Sequence, residues 1–116
     1  MSQLFRSKST CTCEEWKENH FSWILVDKPS VSIKLEEIPP GGSSDLHYHK
    51  NSLQFFFIIK GRALFYIDTQ KIYLKENEGV EVPPLVKHKI ESIGNESLVF
   101  ILVSAPKVLE EDILRD

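Results

Sequence analysis

Four side chains in this sequence have the types and spacing to hold a metal ion: His47, His49, Gln54 and His88. The first three lie in residues 41–61, GGSSDLHYHKNSLQFFFIIKG. Successive side chains of a β-strand alternate faces, so His47 and His49 point to one side and Tyr48 to the other. Residues 53–60 are rich in aromatic and β-branched types and read as a strand with Gln54, Phe56 and Ile58 on one face. Gln54 is the polar member of that face, and its carbonyl oxygen needs a partner that a bound cation would supply. Further on, Lys87, Lys89 and Glu91 alternate with His88, Ile90 and Ser92. The charged set must face water, which turns His88 toward the buried side where the other three are expected.

The spacing of these residues resembles the first motif of the cupins. It runs Gly41, five residues, His47-x-His49, four residues, Gln54, six residues, Gly61, with glutamine where the family usually has glutamate. The stretch EGVEVPPLVKH resembles the second motif, with Pro83 five residues before His88. Asn77 stands where the family's first glycine falls, Leu85 where its second does, and Ser92 where an asparagine is usual. Asparagine adopts the left-handed conformation that a glycine would, so the change at Asn77 is physically mild. The resemblance implies an all-β fold, a cupin-type double-stranded β-helix or jelly-roll barrel. It also implies one divalent transition metal ion at His47, His49, Gln54 and His88.

Three imidazoles and one amide oxygen suit Zn, Fe, Ni, Cu or Mn, with room for water or substrate. Glutamate at position 54 would leave a divalent site with a formal charge of about +1, whereas glutamine leaves the full +2. That excess weakens metal binding, raises Lewis acidity and favours anionic ligands. Family mechanisms that use the carboxylate as a base do not transfer to Gln54. Loose candidates for a base are Tyr48, Tyr66, Tyr73 and Glu81, none within a motif.

The elements that position these residues read as many short strands. At 116 residues, with 27% charged, the chain is long enough for one domain with its own core. We divide it into an N-terminal arm over 1–12, a barrel over 13–106 and a C-terminal tail over 107–116. The arm is expected to be disordered or to pack on a partner subunit. Residues 21–26 and 31–36 read as two strands joined around Pro29, the second with Ser32, Lys34 and Glu36 on a wet face. His20 has no neighbour at ligand spacing. Residues 62–68, 72–74, 80–82 and 97–104 read as further strands, the last covered on both faces, and the tail as a short helical turn.

A formal charge of −3 with no basic stripe excludes non-specific nucleic-acid binding. With no long apolar stretch and no signal peptide, a cytoplasmic location with no membrane partner is expected. Cys11 and Cys13 are too close to bridge and read as free thiols. In the strand over 53–60 both faces are apolar, so Phe55, Phe57 and Ile59 need a cover. The N-terminal strand pair or a second subunit would provide one, and the latter makes a homodimer. Three functions fit: a metal-dependent enzyme on a small molecule (dioxygenase, isomerase or lyase), a binding module for a sugar or carboxylate, or a metal-free structural barrel.

Overall fold

The computed structural model describes residues 4–115. Eleven strands run in chain order: β1 (Cys13–Lys17), β2 (His20–Lys28), β3 (Val31–Ile38), β4 (Tyr48–His49), β5 (Leu53–Lys60), β6 (Ala63–Ile67), β7 (Gln70–Leu74), β8 (Gly79–Val82), β9 (His88–Ser92), β10 (Leu98–Ala105) and β11 (Ile113–Leu114). The fold is all-β, as expected, and the strands pair antiparallel. A six-stranded sheet has the order β1-β2-β3-β10-β5-β8 and a three-stranded sheet the order β7-β6-β9, while β11 pairs with β4. Bridges from Ser43 to Glu91 and from His47 to His88 tie the motif loop onto β9.

The tight turns form where the sequence allows left-handed backbone. Gly61, between β5 and β6, has φ +90°, and an added Cβ would meet the Ser97 carbonyl at 2.8 Å. Asn77 takes φ +68°, the conformation expected of it, and donates its N–H to Ile58 O at 2.9 Å. Between the sheets lies a core of Ile38, Phe56, Ile58, Ala63, Phe65, Leu74, Val82, Ile90, Leu98 and Phe100. Phe56 anchors it, edge-on to Phe65 with ring centres 4.8 Å apart.

Three expectations about elements are revised. The Ser32, Lys34 and Glu36 face of β3 turns inward: their partners on β10 are Ser104, Leu102 and Phe100, and those in turn oppose Gln54, Phe56 and Ile58 on β5. Alternation established two unlike faces, but the polar one looks into a cavity and not outward. The N-terminal strand pair does not cover Phe55 and Phe57 either. β3 hydrogen-bonds β10 edge to edge, so β2 and β3 extend the same sheet and its apolar outer face. In the tail, a 3-10 turn over Glu110–Asp112 is present, yet it leads into β11, which the sequence reading missed.

The arm's residues 1–3 lie outside the described region. Its remainder rests on the chain's own β2: Arg6 Nε donates to Leu25 O at 2.7 Å, and Lys8 Nζ sits 4.1 Å from the centre of the Trp23 ring.

Candidate metal centre

His47 and His88 face each other across the bridge that joins the motif loop to β9. Each donates its backbone N–H to the other's carbonyl, at 3.1 and 2.8 Å. His49 follows on β4, and Gln54 opens the buried face of β5. The three imidazoles each offer a nitrogen, and these atoms lie within 4.8 Å of one another. Ring centres are 4.5 Å apart for His47 and His88, 4.8 Å for His47 and His49, and 5.3 Å for His49 and His88. His49, Gln54 and His88 are buried, and His47 is partly buried.

Backbone carbonyls set the tautomers. His47 Nδ1 is 2.7 Å from Asp45 O and His88 Nδ1 is 3.0 Å from Val86 O, so in both rings Nδ1–H donates and Nε2 keeps its lone pair. His49 has neither ring nitrogen satisfied, although both are buried. Across the sheet, Gln54 Nε2 donates to Ser104 Oγ at 3.0 Å, which turns Oε1 toward the histidines. There Gln54 Oε1 sits 3.1 Å from His88 Nε2.

That last contact is unsatisfied in a neutral site. A neutral imidazole has one N–H, and His88 has an acceptor oxygen at each nitrogen. Imidazolium would satisfy both, but burial pushes the His88 pKa down to about 4. His49 is also pushed down to about 4, by burial first and then by its histidine neighbours, and burial lowers His47. At neutral pH, Nε2 of His88 and Oε1 of Gln54 therefore present lone pairs to each other, and His49 presents one with nothing to receive it. A cation accepting these lone pairs would relieve the clash at His88 and give His49 a partner at one of its two nitrogens, so the residues present fit a transition metal.

The site opens into a cavity of about 620 Å³. His47, His49 and Gln54 line one end; Glu14, Trp16, Lys34 and Glu36 line the wall of β1 and β3. Glu36 was not singled out from the sequence, because its alternation with apolar residues reads as a solvated face. Burial raises its pKa, with Lys34 and Ser22 opposing. From the register it lies two rows along from Gln54, roughly 13 Å at ~3.3 Å per residue, so it faces the far end of the cavity. Of the loose base candidates, Tyr48, Tyr66, Tyr73 and Glu81 are all absent from the cavity lining. His20 is buried against Gly42 and the edge of Trp16, a packing role.

Residues 34–104 match the family described as Cupin domain, more than half of the chain. This chain is a cupin. A small single-domain cupin with a jelly-roll fold is also the closest description of its structural likenesses. Over 91% of the chain it superimposes on an RmlC-like cupin from Shewanella frigidimarina, at a TM-score of 0.82, 17% identity and 93% coverage of that chain. A predicted oxalate decarboxylase from Thermotoga maritima gives a TM-score of 0.79 at 21% identity, covering 87% of this chain and 97% of that one. These likenesses carry the fold alone. By sequence, 75 residues are 36% identical to an uncharacterized protein of Methanocaldococcus jannaschii, spanning 65% of this chain and 60% of that one. An oxalate-binding protein of Thermotoga maritima is 28% identical over 67 residues, 58% of this cupin and 55% of the relative. The cupin thus spans a little over half the length of these two relatives. Among its described residues no helix is long and apolar enough to cross a membrane.

Proposed function

We propose that this cupin holds one divalent transition metal ion at His47, His49 and His88, with Gln54 Oε1 as a fourth ligand, and uses it to bind a small anionic molecule. The carrying observation is the pair of acceptors around neutral His88, beside a buried His49 whose ring nitrogens have no partner, which a cation shared with Gln54 relieves. Ser104 supports the reading by holding the Gln54 amide with its oxygen inward. The metal would supply Lewis acidity, or sites for oxygen and a chelating substrate. The chain's own residues do the rest: the imidazoles and the amide bring no negative charge, so the ligand must supply it. A protein of related sequence is named for binding oxalate, which agrees with this preference.

The reading as a binding site rests on more than the reading as an enzyme. The partly buried Glu36 faces the far end of the cavity, and the histidines are committed to the ion. Chemistry at the bound anion would therefore come from the metal, and the experiment that separates the two is substrate screening with and without oxygen. We further infer a homodimer, formed on the apolar outer face of the six-stranded sheet, and action in a reducing compartment such as the cytoplasm, consistent with unbridged Cys11 and Cys13.

Elemental analysis tests the site. Wild type should carry about one metal per chain and His49→Ala far less; equal metal in the two proteins would refute the assignment.

A further inference from the structure

The last described residues form one rim of the cavity. β11 pairs with β4 in antiparallel register, Ile113 opposite His49 and Leu114 opposite Tyr48. One more step of that register brings Arg115 level with His47. Ile113 and Arg115, two residues apart, both line the cavity alongside Asp45, His47 and His49.

This strap is anchored. Asp112 is buried; its carboxylate accepts from Asn51 Nδ2 at 2.9 Å, and its carbonyl accepts from Lys50 N at 3.0 Å. Both partners lie in the loop between β4 and β5, so the loop that follows His49 also fixes the segment that carries Arg115.

The cations around the cavity are not equivalent. Lys107 pairs with Asp27 at 2.7 Å, Lys17 donates to Ser43 O at 2.9 Å, and Lys34 lies on the β3 wall, where its charge bears on Glu36 and Asp27. Arg115 reaches Asp45 only at 3.9 Å, beyond hydrogen-bond distance, with both side chains more than half exposed.

We propose that Arg115 is the carboxylate-recognition residue of this cupin, held at the mouth by the C-terminal strap so that its guanidinium and the ion at the histidines share one carboxylate. The proposal rests on the anion-binding reading above. A carboxylate placed there meets a divalent centre and a guanidinium, whereas Asp45 meets the guanidinium alone, so the ligand outcompetes Asp45. The planar fork of arginine suits a carboxylate's two oxygens, which specifies an organic acid over a sugar or a neutral amide.

The test uses the cobalt(II)-loaded protein, whose visible spectrum reports ligands reaching the metal, titrated with benzoate and with its neutral isostere benzamide. Wild type should prefer benzoate. Arg115→Gln should bind benzoate about tenfold more weakly, as expected for losing one partly exposed charge-assisted contact, with benzamide unchanged. It should hold cobalt at least as tightly, because a neighbouring positive charge is gone. Arg115→Lys should recover part of the benzoate affinity. Asn51→Ala, which frees the strap, should reproduce the selective loss. Unchanged benzoate binding in Arg115→Gln overturns the proposal, and so does a joint loss of benzoate and cobalt, which would mark a structural role. A wild type that binds cobalt but takes no benzoate overturns the anion-binding reading itself, and this proposal with it.

Discussion

Replacing Gln54 by glutamate changes one group and one charge. The carboxylate would still meet the three histidines, and Ser104 can rotate its hydroxyl to donate where it now accepts. Gln54→Glu should therefore bind divalent metal more tightly and small anions less tightly, both measurable by calorimetric titration. Unchanged metal affinity would remove Gln54 from the ligand set. The histidines give a second outcome. Their folded pKa values of about 4 lie below the usual 6.5, so the unfolded chain takes up protons first as pH falls. Stability of the chelator-treated protein should hold above pH 6.5 and decline between 6.5 and about 4, by on the order of a few kcal/mol. Denaturant midpoints that stay level across that window would contradict the neutral, buried state of His49 and His88. Of the site itself, the four side chains were legible because strand alternation and motif spacing fix their face. Glu36 and Arg115 were not: a charged residue alternating with apolar ones reads as solvated, and a residue near the end of a tail has no periodic neighbours to place it.

Among the elements, the loop before β9 departs most from the family pattern. Leu85, where a glycine is usual, has φ +72° and is 63% exposed, while its N–H is donated to His49 O at 2.7 Å. The side chain gains little from packing, and the backbone stays in a region that costs a non-glycine residue about 1–2 kcal/mol. Against that, a glycine adds about 0.5–1 kcal/mol of unfolded-state entropy. Leu85→Gly should leave the fold intact and raise Tm by a few degrees in scanning calorimetry; a lowered Tm would show that the leucine's contacts outweigh its strain. The strands of the barrel were readable where one face is dry, as on β5 and β9. On β3 the same period gave the wrong side, because a cavity with polar lining takes in Lys34 and Glu36 although burial raises the Glu36 pKa, and alternation alone does not tell such a face from a solvated one. The two-residue strand β11 exists only because β4 offers it an edge, and no local pattern records that.

At the level of the whole molecule, the six-stranded sheet leaves its outer face apolar. Phe55 is 40% exposed and Ile59 47%, and Phe55 stacks on Phe57 with ring centres 6.3 Å apart. Beside them in register run Ile101 and Val103 on β10 and Leu35 and Ile33 on β3. An apolar surface this continuous in a charged chain is the ground for the proposed dimer. Sedimentation at micromolar concentration should give a dimer, and Phe55→Glu a monomer; a monomeric wild type would refute it.

The placement of the rim also sets an order of events during synthesis. His47, His49, Gln54 and His88 precede Ile113 in the chain, and β11 closes on β4 across more than sixty intervening residues. Ile113 and Leu114 are synthesised after all four of these residues, so β11 cannot pair with β4 before they exist in the chain. The residues of the histidine cup are thus all made before the strand that closes its mouth, which would give the proposed ion a route in that the finished rim narrows.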